Sequence, residues 1–533
     1  MPEKEAGGNR DVSETKDLLL AIDQGTQSVR AMLFDLSGDL VAKSQVQVTP
    51  YYAREPGWAE QDCDYYWANL CYATRELWRA HPELRARVAA MAVTTQRAVV
   101  VLLDEDQEPL RPAIVWLDQR RTRQHRPLPL WLEAGLRLAR QRRTVHFVQS
   151  KAECNWLAAE EPEVWRRTRH FLFLSGWYNL KLTGRIRDAV GSQVGYVPFD
   201  AKREGWAGPW HFKWKLVTVR RDMLPDLVPC GRSMGQVTAR AAEETGIPEG
   251  LPVYAAAADK ACEVLAAGAW TPDVAVLSYG TTATINTCND RYVEPIPFIP
   301  PFPAAAPGRF NSEMMVQRGF WMVNWFKEQF GAREVLEAER QGVAPEVLFE
   351  RMLETTPAGN LGLMLQPFWN PGVKVPGPEA KGAMIGFGGV HERAHMYRAI
   401  VEGIAYALRE AAQRLERRNG VPIRRLRVTG GGSQSDGVMQ ITADVFGLPV
   451  ERPHTWETSG LGAAINAAVG AGFYPDHATA QKHMSRPGRL FEPRLDEARL
   501  YDRLFSEVYV QMYPRLAPLY RAIRRITDYP RLD

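Results

Sequence analysis

Two short stretches of the chain share one pattern, and together they limit what it can fold into. Residues 18–35, LLLAIDQGTQSVRAMLFD, set one apolar run, Leu18–Ile22, before Gly25-Thr26 and a second, Arg30–Phe34, after it. Residues 275–288, AVLSYGTTATINTC, repeat this around Gly280-Thr281-Thr282. Each reads as two strands joined by a sharp polar turn. Glycine lets such a turn adopt backbone conformations that side chains resist and lets main chain approach a ligand closely. Successive N–H groups in the turn form an anion-binding concavity, and Arg30 adds a fork suited to phosphate oxygens. Asp23 is acidic where a phosphate would sit, which makes sense if a divalent cation lies between them. An ordinary glycine hairpin explains either stretch alone. Two of them, about half the chain apart, suggest two like halves gripping a nucleotide in the cleft between them.

Bulk properties agree with that plan. A chain of 533 residues has room for two large α/β domains. Net charge is only +4, from 66 basic and 62 acidic residues, so there is no electrostatic case for nucleic acid. The clusters Arg137–Arg143 and Arg166–Arg169 read as solvated helix faces. None of the six cysteines forms a CxxC pair, so neither a zinc site nor a disulfide framework is expected, and a cytoplasmic location fits. Residues 1–16 are polar, lack a signal-peptide core and read as a disordered tail. No apolar run is long enough to span a bilayer.

Along the chain, Tyr51–Asp62 reads as a loop, followed by a helix with Trp67, Leu70, Cys71, Leu77 and Trp78 at helical spacing. Strands are expected at Val88–Val93, Ala98–Leu103 and Ile114–Leu117, with Thr94–Arg97 and Asp118–Arg121 as polar strand ends, where α/β folds place ligands. Residues 122–200 read as mostly helical. Leu251–Ala258 is an apolar strand and Lys260–Ala267 a helix, so Asp259 sits at their junction, where helix N-capping is its plainest role. In the second half, a helix over 391–417 carries the stripe Ile400, Ile404, Leu408, Ala411 and Leu415. Gly430-Gly431-Gly432-Ser433 lies between a strand and a helix, which faces a helix N-terminus toward phosphates. Gly460–Gly472 reads as a small-residue helix that permits close packing.

His391-Glu392-Arg393-Ala394-His395 fits the H-E-x-x-H pattern of zinc proteases. A third ligand is not evident beyond Glu416, and polar residues at a helix start account for the pentapeptide better.

Taken together, AIDQGTQSVR, PGWAEQD, TTQR, IVWLDQR, LTGRIRD, AAADKA, LSYGTT, RAIVEGIAYAL, TGGGSQSD and GLGAAINAA resemble the FGGY family of carbohydrate kinases, in the family's order over about residues 17–520. The resemblance implies an α/β fold of two actin-like, ribonuclease H-like ATPase domains with an interdomain cleft. It assigns residues 17–268 to a sugar-binding domain with the first phosphate loop and 269–533 to a nucleotide-binding domain. It implies ATP and Mg2+ as cofactors and phosphorylation of a hydroxyl on a small sugar, a ketopentose or polyol leading and a sugar acid following. By the same resemblance Asp259 is the general base and Asp23 lies near magnesium. Gly25, Thr26, Gln27 and Arg30 match the first phosphate loop. Gly280 and Thr281 match the second, and Gly430, Gly431, Gly432 and Ser433 the adenosine turn. Asn324 and Asp436 match further nucleotide contacts, and Gln96 and Arg97 the substrate-facing turn.

Departures bear on the substrate. Ala98 stands where glycerol kinases carry a glutamate, which counts against glycerol. Lys260 follows the base where glutamine or asparagine is common. It could hold Asp259 ionised, meet a carboxylate on a sugar acid, or be a solvated first-turn residue. Val373-Lys374 replaces a common Glu-Arg. The competing class is a non-catalytic actin-like nucleotide-binding protein, which would need neither Asp259 nor the substrate turn. A homodimer is compatible with the sequence; nucleic acid and membrane partners are not expected.

Overall fold

The computed structural model describes residues 16–124, 127–370, 372 and 376–529. The expected tail, apart from Lys16, and the Val373-Lys374 departure lie outside those residues.

Two mixed sheets built to one plan organise the chain. The first contains β1 (Leu18–Gln24), β2 (Ser28–Phe34), β3 (Leu40–Gln47), β4 (Val88–Thr95), β5 (Ser233–Gln236) and β6 (Pro252–Ala255), in the order β5-β6-β4-β1-β2-β3. The second contains β7 (Val274–Tyr279), β8 (Ala283–Asn289), β9 (Phe302–Pro303), β10 (Phe310–Val316), β11 (Arg425–Thr429), β12 (Val450–Pro453) and β13 (Pro487–Phe491), in the order β9-β10-β8-β7-β11-β12-β13. Without their edge additions both run third, second, first, fourth, fifth. In each, the second strand is antiparallel to its neighbours and the first, fourth and fifth are parallel. Parallel neighbours need crossovers. Helix α1 (Cys63–Ala80) provides one before β4, burying Tyr66, Trp67, Leu70, Leu77 and Trp78.

Three further helices matter to the site. The second, α2, spans Asp259–Ala266 and follows β6. The third, α3 (Arg393–Asn419), precedes β11 and buries Ile400, Ile404, Leu408, Ala411 and Leu415 in the second core, as their spacing predicts. The fourth, α4 (Thr458–Gly470), is rich in small residues and packs on the first sheet and on α2, although it belongs to the second half of the chain. A Cβ on Gly462 would lie 2.1 Å from the Cys262 carbonyl oxygen, so close packing there requires glycine, while one on Gly460 would lie 2.2 Å from Met32 Cε, the end of a flexible side chain.

Several expected boundaries shift. The strand expected over Ala98–Leu103 begins at Val100, because Ala98 takes a left-handed backbone with φ 54°. The strand expected over Ile114–Leu117 is only Ala113–Ile114. The region 122–200 holds helices, but His170–Phe173 is a strand, in a four-stranded sheet with Val100–Leu103, Ala113–Ile114 and Glu60–Gln61. A four-residue apolar run is ambiguous by periodicity alone. Among the described residues no helix is long and apolar enough to cross a membrane.

The zinc-protease pattern does not form. Helix α3 starts at Arg393, so His391 precedes it and the two histidines do not share a helical face. His391 Nδ1 accepts from the Gly388 N–H at 2.8 Å, and His395 Nδ1 accepts from the Glu392 N–H in a capping box. Glu416 instead accepts from the Ile423 N–H at 2.7 Å. Among the described residues no three His, Cys, Asp or Glu side chains gather as a metal site.

Candidate active site

Strand alternation decides which side chains face the space between the sheets. On β1, Leu18, Leu20 and Ile22 enter the core shared with α1, while Leu19 and Ala21 pack beneath α2 and α4. Asp23 continues that second row. Its ladder partners, Arg30 on β2 and Thr94 on β4, share the face. In the second sheet Ala275, Leu277 and Tyr279 enter the core under α3. Val276 and Ser278 therefore point the other way, with Asn286 and Glu313 in the ladder row of Val276 and Thr284 in that of Ser278. Both polar rows face the crevice between the lobes, and α2 lies along it.

Asp259 opens α2. It is not the N-cap: Ala258 is, with extended backbone, and Asp259 is the first helical residue, its Oδ1 accepting from the Lys260 N–H at 2.7 Å. Burial raises its pKa from the usual carboxylate value, against the opposing charges of Lys260 and Arg97. Among the described residues no salt bridge engages it. Asp23 is 3% exposed. Burial lifts it to about 6 despite Arg30, and the charges of Asp259 and Glu457 add to the rise. Arg30 Nη1 donates to Asp23 Oδ2 at 2.9 Å, whereas Asp23 Oδ1 is buried with no hydrogen-bond partner.

Lys260 is not the solvated first-turn residue that its position allows. Its ammonium pairs with Glu263 at 2.8 Å and donates to Ser278 Oγ on β7. Glu263 in turn accepts from Thr429 Oγ1 at the end of β11. Burial works against the Lys260 charge, but the Glu263 and Asp259 carboxylates outweigh it and raise the ammonium pKa. Asp259 is thereby fixed on a helix tied to the same C-terminal end of both strands of the second sheet's parallel pair, where Ser278 and Thr429 are register partners.

The Gln96-Arg97 turn is also bonded across the crevice. Thr26 Oγ1 and Trp116 Nε1 both donate to Gln96 Oε1 at 3.0 Å. Arg97 Nη1 lies 3.1 Å and 3.2 Å from the two Glu313 carboxylate oxygens, with the Phe302 ring 4.0 Å from the guanidinium carbon. The Gly25 N–H donates to Ser28 O at 3.0 Å, closing the first hairpin turn, and Gln27 is exposed with its carbonyl accepting from the Val48 N–H.

The second hairpin turn is anchored by its carbonyls. Gly280 O and Thr281 O accept from Phe320 and Trp321 N–H groups at 3.1 Å and 3.3 Å. The Gly430 turn packs directly on it. Gly430 has φ 82°, and a Cβ there would lie 2.9 Å from the Tyr279 carbonyl. Gly431 is exposed and would meet nothing within 4 Å. Ser433 Oγ donates to Gly430 O at 2.7 Å, and Arg452 joins Ser433 O to Asp436 Oδ1. Gly432 packs on Phe320, which stacks on Tyr279. Asn324, on the helix Trp321–Phe330, is exposed and meets this network through its backbone N–H, which donates to Phe320 O at 3.4 Å.

The donor set fits a magnesium nucleotide. Asp23 offers a free buried carboxylate oxygen, and the nearby Asp259 charge makes a cation between them favourable. Magnesium is usually held by one or two carboxylates plus substrate phosphates rather than by a full protein cage. Two glycine turns and a helix N-terminus supply the anion-facing surfaces. Sequence reasoning did not single out Glu313, Glu263, Ser278, Trp116 or Glu457 for the site; of these, Trp116 and Ser278 lay in motifs already noted, IVWLDQR and LSYGTT.

Comparison with known proteins gives a consistent answer. The N-terminal domain of the FGGY family of carbohydrate kinases matches residues 18–266, and its C-terminal domain residues 275–471. An uncharacterized sugar kinase of Escherichia coli strain K12 is 30% identical over 93% of this chain and 93% of its own. A xylulose kinase of Bacillus subtilis strain 168 is 26% identical over 95% of this chain and 98% of its own. The crystal structure of a xylulose kinase from Rhodospirillum rubrum superposes with a TM-score of 0.78 at 27% identity, covering 95% of this chain and 100% of that one.

Proposed function

The chain belongs to the FGGY family of carbohydrate kinases, ATP-dependent phosphotransferases of two actin-like domains, and from that premise we propose that its acceptor is a ketopentose or related small polyol and its general base Asp259. The observation that carries this is the Asp259 carboxylate, unpaired on the crevice at the first turn of α2. The acceptor hydroxyl loses its proton as it attacks, and a carboxylate within hydrogen-bond reach can take it. The raised pKa of Asp259 brings the base nearer to the strength that this transfer needs. The names of the xylulose kinase relatives support a ketopentose.

The rest of the task is positioning and charge neutralisation. Residues 17–268 supply the sugar-binding lobe and 269–533 the nucleotide lobe. The Gly25-Thr26-Gln27 turn, with Arg30, and the Gly280-Thr281 turn hold the phosphates from opposite sides, while Gly430–Ser433 and Asp436 line the nucleoside end. Magnesium, bound at Asp23, would neutralise charge on the transferred phosphoryl group. Gln96 and Arg97 contact the sugar.

ADP release measured over a panel of ketoses, polyols and aldonates identifies the acceptor. With that acceptor, Asp259→Asn lowers kcat by about 10²–10⁴-fold while nucleotide binding persists. An Asp259→Asn enzyme running at the full rate would refute the assignment.

A further inference from the structure

The cations beside Asp259 arrive already paired. Arg97 faces Glu313, whose side chain is 2% exposed. Lys260 faces Glu263. Arg30 is shared between Asp23 and Glu457, the latter also holding Lys43 at 2.8 Å. Asp259 then adds a carboxylate that no salt bridge engages, although the charges of Lys260 and Arg97 still reach it, which leaves five carboxylates beside four cations among these residues.

The hydrogen-bonding left over points the same way. Arg97 uses Nη1 on both Glu313 oxygens, and its Nη2 is buried without a partner. Asn286, opposite Glu313 in the β8–β10 ladder, keeps its Oδ1 buried and unpartnered while its amide nitrogen donates to Thr284. One free donor, on the partner of Glu313, and one free acceptor, on its ladder neighbour, thus flank the same carboxylate. A hydroxyl satisfies both, because it donates and accepts; a carboxylate only accepts. A carboxylate would leave Asn286 Oδ1 unmet and bring like charge against Glu313 and Asp259. Both penalties discriminate by disfavouring the wrong ligand.

We infer that Glu313 is a specificity-determining residue that reserves this crevice for uncharged polyhydroxyl substrates and turns sugar acids away. This rests on reading the crevice as the sugar site. Glu313 acts from the second lobe, 216 positions along the chain from Arg97, so it tunes a residue of the first lobe across the cleft.

The test compares a pentulose with the pentonate of the same carbon skeleton, in wild type and Glu313→Gln. Wild type prefers the pentulose in kcat/KM by about 10²-fold or more. Glu313→Gln narrows that preference by about tenfold through a gain on the pentonate, since removal of one like charge is worth about that factor. A folded Glu313→Gln protein with an unchanged ratio overturns the inference, as does a wild type that takes pentonate as readily as pentulose; the latter leaves the kinase assignment standing. Calorimetric binding of a pentitol and the pentonate to wild type reads the same preference without turnover or a folded variant. Equal affinities overturn the inference. Preferential pentitol binding without phosphorylation of any ketopentose or polyol upholds it and removes the proposed acceptor instead.

Discussion

Replacing Gly462 by alanine probes the catalytic crevice from a residue that lies in none of its motifs. Gly462 sits on α4 where it crosses α2. A Cβ there would lie 2.1 Å from the Cys262 carbonyl oxygen, 2.5 Å from its carbon and 2.6 Å from its Cα, all main-chain atoms. Ordinary contact begins near 3.4 Å, so the helices must part by about 1.3 Å. Neither can yield freely. Helix α4 is pressed onto Met32 through Gly460, and α2 is tied to the second sheet through Lys260–Ser278 and Glu263–Thr429. Overpacking of this kind costs about 1–3 kcal/mol. Cys262 lies within one helical turn of Asp259, so the carboxylate moves with it. A misplacement of about 1 Å costs about 10²-fold in rate. Gly462→Ala therefore lowers kcat by roughly that factor and also lowers Tm, measured by ADP release and thermal unfolding, while Gly389→Ala, which meets nothing within 4 Å, changes neither. A Gly462→Ala protein with wild-type kcat would refute the claim that the helix crossing positions the base.

Two other perturbations separate stability from ligand binding. Asp188 is fully buried, accepting from Ser175 Oγ at 2.6 Å, the Ala189 N–H at 2.8 Å and Gln193 Nε2 at 3.0 Å, yet burial lifts its pKa from 3.8 to about 6. A carboxyl raised on folding contributes most while protonated, below the unfolded value, and that contribution of about 3 kcal/mol is lost as pH climbs from about 4 through 6. Asp188→Asn removes the loss, so its Tm relative to wild type rises between pH 4 and pH 8, reduced by about 1 kcal/mol for each hydrogen bond the amide cannot copy; a pH-independent difference would refute this. Gly431→Ala should leave Tm unchanged, because the new methyl meets no protein atom within 4 Å, but raise KM for ATP by projecting from the turn proposed to face the nucleotide; an unchanged KM would remove that turn from the binding surface.

What could be read from the sequence was local, and what could not depended on register. The hairpins at Gly25 and Gly280 declare themselves because glycine and threonine interrupt apolar runs within a few residues, and the ladders Asp23–Arg30 and Ser278–Thr284 follow from them. The stripe of α3 is legible for the same reason. Asp259 was placed at a strand-to-helix junction, but its chemistry came from family resemblance, since an aspartate there is by itself an ordinary helix cap. Glu313 could not be found this way. It matters only because β10 pairs with β8 in a register that sets Glu313 opposite Asn286 and turns both from the core. A shift of one residue would send it to the other face. The Lys260–Glu263 pairing was hidden for a related reason: i,i+3 spacing allows it, but the burial of the pair depends on Ser278 and Thr429 arriving from another sheet.

The exchange of helices gives these register effects a common purpose. Helix α4 comes from the second half and lies on the first sheet; α2 comes from the first half and is bonded to the second. The two cross at the Gly462–Cys262 contact, within one turn of Asp259, and Lys260 ties the start of α2 to Ser278, two residues before the Gly280 turn. Asp259 and that turn are therefore held in one frame, which favours a reaction whose oxygen must be met within a fraction of an ångström. The Arg97–Glu313 pair also joins the two lobes, so the contact proposed to select the substrate would report any change in their spacing.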